Sequence, residues 1–455
     1  MPNATEGQIR NGSAAARWLL LATILGSGMA FLDGTVVNIA LPAIERDLGG
    51  GLTGQQWTVN AYVLTLGGLI LLGGSLGDRL GRKRIFMIGV AWFAVASAIC
   101  AAAPTIQTLA VARAFQGVGA ALLIPGSLAI IQASVHPDDR GAMIGTWSGL
   151  AGVTAAIGPF VGGYFVEAVS WRLIFLMNLP LAAIVLWVSR RHVPESFEPS
   201  AQKRPLDIVG AALSVGGLAG TTFGMVEAGR VGWTGPTSAI PLAAGVALLA
   251  AFLVWERGRS SALVPLGMFR SRPFTGANLV TFLVYGALSA SLFLLPIHLQ
   301  SVSGYSPIQA GLALAPLTVL MLLLSSRAGA LAQRIGPRVP MTVGPLLCAG
   351  ALVALADVGR PAPYLTALAP GMALFGLGLS LTVAPLTATV LAATEAGREG
   401  IASAINNAVS GIAGLIAVAI IPAAAGFHAG MQMSAGLLVF GGLIAALMIP
   451  SRPLT

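Results

Sequence analysis

Long apolar stretches, broken by short polar clusters, run along the chain from residue 18 onwards. A bilayer crossing needs about 20 mostly apolar residues. Stretches of that kind fall at 18 to 42, 57 to 76, 85 to 103, 107 to 132, 141 to 166 and 171 to 189, and they predict a first six-helix half over 18–189. A polar linker from Arg190 to Pro205 is followed by two further stretches, at about 207–228 and 238–255, and by a basic linker from Glu256 to Arg272. The second half then spans 273–449, with stretches near 273 to 299, 307 to 326, 339 to 356, 363 to 391, 401 to 424 and 430 to 449. The pattern predicts an all-α, polytopic membrane protein of fourteen helices, in two six-helix halves with two inserted helices, flanked by termini at 1–17 and 450–455.

Composition supports the same class. Charged residues make up 9% of the chain, against about 25% for an average soluble domain, which is too few to solvate a surface. The positive-inside rule gives a separate test of the segmentation, because loops on the cytoplasmic side of a membrane carry the excess of Lys and Arg. Of the 25 such residues, twenty fall on the side shared by both termini, including Arg79, Lys83, Arg190, Lys203, Arg204 and Arg398. Only Arg46, Arg172, Arg230 and Arg360 fall on the other, and Arg113 alone lies inside a span. Both termini are therefore expected in the cytoplasm, and the Arg-rich, Ala- and Gly-rich composition suggests a bacterial plasma membrane. The net charge of +9 is spread between apolar segments, so it points to anionic lipid headgroups and not to nucleic acid. Cys100 and Cys348 each sit alone in an apolar run, so neither a disulfide nor a metal site is expected. The first apolar stretch is too long for a signal peptide's apolar region and should remain as a span. Asn3 and Asn11 begin glycosylation-like triplets, but on this topology they face the cytoplasm.

The halves share a repeat. Gly74-Ser-Leu-Gly-Asp78-Arg79-Leu-Gly81-Arg82-Lys83 aligns without gaps to Gly329-Ala-Leu-Ala-Gln333-Arg334-Ile-Gly336-Pro-Arg338, each copy following the second helix of its half. Parallel repeats of this kind build transporters that handle substrate between the halves, near the bilayer midplane.

Candidate chemistry is sparse. Asp33 is the one acid placed deep within a span, where a carboxylate costs roughly 2.5 to 3.5 kcal/mol on insertion scales. Desolvation there works against the charged form. The competing reading is a structural hydrogen bond, which a neutral polar residue would supply at lower cost. Arg113, Gln116, Gly117 and Ala120 share one face of the fourth helix, and a permanent cation there needs a partner or a wet cavity. On the fifth helix Gly145, Gly149, Gly152, Ala156, Pro159 and Gly163 form a small-residue stripe at helical spacing, which predicts close approach of another helix along its length. Gly73-Gly-Ser75-Leu-Gly77 matches a nucleophile elbow only by letter, since it ends a membrane helix. His298 lies near a span boundary, with a proton relay as the lesser reading.

In these motifs the chain resembles the 14-helix drug:proton antiporter branch of the major facilitator superfamily, the multidrug efflux type, over nearly its whole length. Leu32 to Pro42 looks like that branch's first-helix motif, Gln56-Trp57 with Tyr62 its second-helix pattern, and Gly74 to Arg84 the superfamily's loop signature. Arg113-Ala-Phe-Gln116-Gly117 looks like the fourth-helix motif, Gly158-Pro159 with Gly162-Gly163 the antiporter motif, and Trp171-Arg172 and Asn178-Leu-Pro180 also fit. The resemblance implies a proton-coupled exporter of hydrophobic small molecules or drugs working by alternating access, with no cofactor and no catalytic residues. It further implies Asp33 as proton carrier assisted by Arg113, and a cytoplasmic gate at Gly74, Asp78, Arg79, Gly81 and Arg82. Gly149, Gly152, Gly158, Pro159, Gly162 and Gly163 would pack the antiporter helix, and Asn38, Tyr62, Gln116 and Trp147 are candidates for the cavity wall. Its partners would be a hydrophobic substrate, protons and membrane lipids, with the chain a monomer. Departures are Gln333 in place of an acid, Ser410-Gly411 where relatives often carry an arginine, and a very short last outer loop around His428. Export of an endogenous metabolite or lipid by the same cycle is the alternative. A membrane enzyme or a channel would need clustered or ringed polar residues that the sequence does not present.

Overall fold

A computed structural model describes residues 9–198, 206–259, 262–359, 362–394 and 399–452. Residues 1–8 and 453–455 and the basic residues Lys203, Arg204, Arg360 and Arg398 lie outside the described residues. Among the described residues, fourteen helices are long and apolar enough to cross a bilayer. The first six are α1 (Ala14–Leu48), α2 (Gly51–Leu80), α3 (Arg82–Ala102), α4 (Ile106–Ser134), α5 (Pro137–Ala168) and α6 (Leu173–His192). The inserted pair is α7 (Ile208–Val231) and α8 (Pro236–Glu256). The last six are α9 (Arg272–Ser301), α10 (Pro307–Ile335), α11 (Arg338–Ala356), α12 (Tyr364–Ala392), α13 (Gly400–Ala423) and α14 (Gly426–Met448). Several overrun the apolar windows: α1 starts at 14 and ends at 48, where the window covers 18 to 42. Windows detect only the hydrocarbon core, whereas a helix persists until a cap or a glycine ends it.

Local chemistry sets those ends. The Ser13 side chain accepts from Ala16 N at 3.1 Å and starts α1, and Ser306 with Gln309 forms a capping box at the start of α10. Gly426, with φ +63°, is the non-helical residue at the kink between α13 and α14, so the short outer loop read from the sequence is reduced to a kink. Large apolar side chains such as Ile240, Val254, Leu365 and Leu447 lie on the outside, which is where lipid chains would cover them.

The repeat is visible in the backbone. Gly81 (φ +112°) and Gly336 (φ +88°) occupy matching positions directly after α2 and α10, a conformation that favours glycine. Each holds the tail of its own bundle. A Cβ on Gly81 would lie 2.9 Å from the Glu195 carboxylate beyond α6, and one on Gly336 would lie 1.9 Å from Ser451 O beyond α14.

Each bundle has its own apolar core, one built on Leu19, Phe86, Phe93 and Val185 and the other on Phe274, Leu352, Phe375 and Leu438. A third core joins the bundles at the end away from the termini, where Val36, Leu41 and Ile44 meet Phe293, Leu294 and Ile421. The α7–α8 pair packs through α7 onto α2 and α13, around Leu64, Leu218 and Leu415.

Candidate functional site

Asp33, halfway along α1, is wholly buried within the first bundle. Its Oδ1 accepts from Gln116 Nε2 at 2.9 Å and from Asn178 Nδ2 at 3.3 Å. Its Oδ2 pairs with Arg113 Nη1. Arg113 also donates through Nε to Thr58 O at 3.0 Å and through Nη1 to Gln116 Oε1 at 2.6 Å. Ser97 Oγ accepts from Gln116 Nε2 at 2.7 Å and from Asn178 Nδ2 at 3.1 Å. The guanidinium lies 4.3 Å from the centre of the Tyr62 ring, within cation–π range, and Tyr62 OH donates to Ala30 O at 3.1 Å.

Packing brings these groups together. A Cβ on Gly117 would fall 2.3 Å from Tyr62 O, so the missing side chain lets the α2 backbone rest on α4 and sets Tyr62 over Arg113. The bare Gly119 and Gly89 do the same between α3 and α4, where a Cβ on Gly119 would lie 2.7 Å from Phe93 N. Side chains from α1, α2, α3, α4 and α6 therefore converge on one ion pair. Breaking such a buried pair from one side strands a charge and costs about 3–5 kcal/mol.

Tyr62 and Gln116, expected along the cavity wall, are instead inside the bundle at 3% and 0% exposure, because they serve the Asp33–Arg113 pair. Asn38 and Trp147 are part-buried, and Asn38 Oδ1 and Trp147 Nε1 have no hydrogen-bond partner. Ser97 and Asn178 were missed as members of this network. A lone Ser in an apolar run carries no signal, and Asn178 stood out only within its Asn-Leu-Pro run.

The small-residue stripe of α5 splits in two. Towards the end away from the termini it is tightly packed at Gly163, where a Cβ would lie 2.7 Å from Pro307 O, and the adjoining motif glycines Gly158 and Gly162 pack on α1, where Cβ atoms would lie 2.0 Å from Thr35 Oγ1 and 2.6 Å from Val36 Cγ2. Pro159 O lies 2.4 Å from a Cβ on Gly311 of α10. At the end near the termini, Cβ atoms on Gly145, Gly149 and Gly152 would meet nothing within 4 Å. The expectation of close packing along the whole stripe is thus corrected, because α10 approaches α5 at one end only. Further contacts at the closed end are Gln300 Nε2 to Ile39 O at 2.9 Å and Ile308 N to Glu167 Oε2 at 3.0 Å. The bundles are shut at that end and parted between α5 and α10 at the other.

The loop signature sits at the parted end. Asp78 is in the last turn of α2 and accepts from Arg82 Nε at 2.8 Å, while Arg79 in the same turn also has a partner. A Cβ on Gly74 would meet Pro125 Cβ at 3.6 Å, whereas one on the neighbouring Gly73 would fall 2.0 Å from Ala121 O. The tight α2–α4 contact therefore belongs to Gly73. Nothing in the polar linker singles out Glu195, whose carboxylate accepts from Lys83 N at 3.0 Å and Arg84 N at 3.1 Å. An acid from beyond α6 thus caps the first turn of α3, favourable at a helix N-terminus. Glu198 N to Asp78 O at 2.8 Å ties the same strap to α2. Asp78→Ala and Glu195→Ala should each slow turnover several-fold while leaving substrate affinity near wild type. The loss of one cap is worth about 1 kcal/mol, roughly a fivefold change in a conformational equilibrium. Weaker binding at unchanged turnover would place these residues in the substrate site.

His298, the lesser relay candidate, has Nε2 2.7 Å from Val358 O and stacks on Phe427 at 3.7 Å. That arrangement is a helix-end contact.

Known proteins resemble this chain in sequence and in architecture. The profile of the Major Facilitator Superfamily matches residues 23–418. A puromycin resistance protein of Streptomyces alboniger is 35% identical, covering 98% of this chain and 94% of its own. A tetracenomycin C resistance and export protein of Streptomyces glaucescens is 32% identical, covering 88% and 74%. A methylenomycin A resistance protein of Streptomyces coelicolor is 34% identical, covering 88% and 84%. Two solved structures share the fold at low identity. A peptide transporter in complex with sulfate has a TM-score of 0.70 at 15% identity over 95% and 94% of the two chains. A D-xylose-proton symporter has a TM-score of 0.69 at 16% over 96% and 98%.

Proposed function

Because the chain belongs to the major facilitator superfamily, we propose that it exports hydrophobic small molecules of the antibiotic class across a bacterial plasma membrane, in exchange for protons. The observation that carries the coupling is the Asp33–Arg113 pair, a carboxylate and a guanidinium sealed within the first bundle. A proton arriving on Asp33 cancels its charge and leaves Arg113 without a counter-ion, so the network joining α1, α2, α3, α4 and α6 has reason to rearrange. Both ionisation states remain buried, but only one is paired, and that difference biases the two bundle arrangements. The bundles part where both termini lie, the side the basic loops assign to the cytoplasm, so this conformation corresponds to substrate loading. The resistance proteins among the relatives favour drugs over endogenous metabolites or lipids as cargo.

Substrate charge tests the reading. Asp33 is the described acid placed mid-span, while Glu167, Glu227 and Glu256 lie near helix ends. Asp33 is paired with Arg113 in this conformation, so it offsets a substrate's charge only once that pair opens; one acid then compensates one positive charge, and a dication would retain a desolvated, unpaired charge at a cost of several kcal/mol. Proteoliposomes carrying a proton gradient should export neutral and monocationic dyes and largely exclude a matched dication. Equal rates for the dication, or export with no accompanying proton flux, would reject the scheme.

A further inference from the structure

The inserted helix pair carries two acids that this scheme leaves unused. Asp207 caps α7, its Oδ1 accepting from Gly210 N at 2.9 Å and Trp255 Nε1 at 2.8 Å. Glu256 closes α8, its Oε2 accepting from Val264 N at 2.8 Å. The residues are 5% and 2% exposed. Each carboxyl therefore has one oxygen satisfied by N–H donors, and each has one, Asp207 Oδ2 and Glu256 Oε1, buried with no donor. The two bare oxygens converge over Gly210, since a Cβ there would lie 2.6 Å from the first and 2.8 Å from the second. Two ionised carboxylates that close, and out of water, repel one another. A single proton between them converts the repulsion into a short, charge-assisted O–H···O bond. A hard metal cation fits worse, since it takes about six or more oxygen ligands and this site offers two free oxygens among N–H donors.

We propose that Asp207 and Glu256 form a proton-binding site separate from Asp33, in which one shared proton staples the start of α7 to the end of α8 and to the connector entering α9. Burial pushes the Asp207 carboxyl up, but the Gly210, Trp255 and Glu256 hydrogen bonds and the Arg259 charge outweigh it and hold Asp207 below the usual carboxylate range. The shared proton accordingly resides on Glu256. Arg259, its guanidinium 4.0 Å from the centre of the Trp255 ring, is the cation acting on the pair. Further along α7, the contacts with α2 and α13 are apolar, through Leu64, Val215, Leu218 and Leu415. Val264 belongs to the connector between α8 and α9, so the state of the pair reaches the first helix of the second bundle.

Infrared difference spectra of the purified full chain, taken between acidic and alkaline pH, test the site. Wild type should show a protonated-carboxyl C=O band that is lost on alkalinisation, and the band should persist in Asp33→Asn. It should be missing from Glu256→Gln, whose amide donates to Asp207 Oδ2 at every pH, and from Asp207→Asn, whose amide donates to Glu256. Between the ordinary carboxyl range, where the unfolded chain loses the proton, and the higher pH at which the folded site releases it, the folded-to-unfolded ratio falls about tenfold per pH unit of rise. The melting temperature of wild type should therefore fall across that range more steeply than that of either variant. Should Glu256→Gln fail to fold, Asp207→Asn alone decides. A band surviving in a folded variant, or a wild-type pH profile in both, overturns the proposal.

Discussion

Asp33→Asn is expected to abolish uphill efflux while the protein still inserts and still equilibrates substrate down its gradient. Asn matches Asp in size and keeps an oxygen for Arg113, but it cannot take up and release a proton. One proton moving down about 150 mV supplies roughly 3.4 kcal/mol, at about 2.3 kcal/mol per 100 mV. That sustains a gradient of at most a few-hundred-fold for a neutral substrate, at about 1.4 kcal/mol per decade. In the variant this gradient should collapse to equality, measured as steady-state dye accumulation in energised vesicles. Counterflow without a proton gradient should survive, which separates lost coupling from a lost fold. Wild-type accumulation against a gradient in Asp33→Asn would remove the residue from the mechanism.

The second large effect is expected at the closed seam. Gly311 of α10 faces the α5 backbone, and a Cβ there would sit 2.4 Å from Pro159 O. A backbone carbonyl cannot swing aside as a flexible side chain would, so Gly311→Val disfavours the conformation in which this end is shut. Overpacking of this kind costs about 1–3 kcal/mol, which shifts a two-state equilibrium by roughly 5–150-fold. Transport should fall by at least about fivefold with the protein still in the membrane. A cysteine at Asn38, on the α1 stretch near this seam, should react faster with an impermeant thiol reagent applied outside than in the otherwise unsubstituted protein. The native Cys100 and Cys348 are buried and should contribute little background. Unchanged transport with unchanged labelling would mean that α5 and α10 do not separate during the cycle.

The number of helices was legible because the bilayer imposes a length and an apolarity on each span that no soluble fold requires. The repeat was legible because the positive-φ turn after the second helix of each bundle admits glycine far more readily than any other residue, and Gly81 and Gly336 both remain. Asp33 and Arg113 stood out because charge inside a span is rare. That they pair with one another was not, since 80 positions separate them and no local periodicity relates α1 to α4.

Sequence alone thus determined the quantities that depend on one segment and its solvent: how many stretches are long and apolar enough to cross a membrane, and which side chains are too costly to be there without a partner. Tertiary structure decided what depends on two segments at once. It buried Tyr62 and Gln116 around the ion pair, it divided the α5 stripe into a packed and an open half, and it brought Glu195 to the head of α3. A glycine spaced at helical period reads the same whether another helix touches it or not, and an acid in a polar linker reads the same whether it is solvated or caps a helix. Only the relative placement of the helices distinguishes these cases, and that placement is fixed by the summed packing of both bundles.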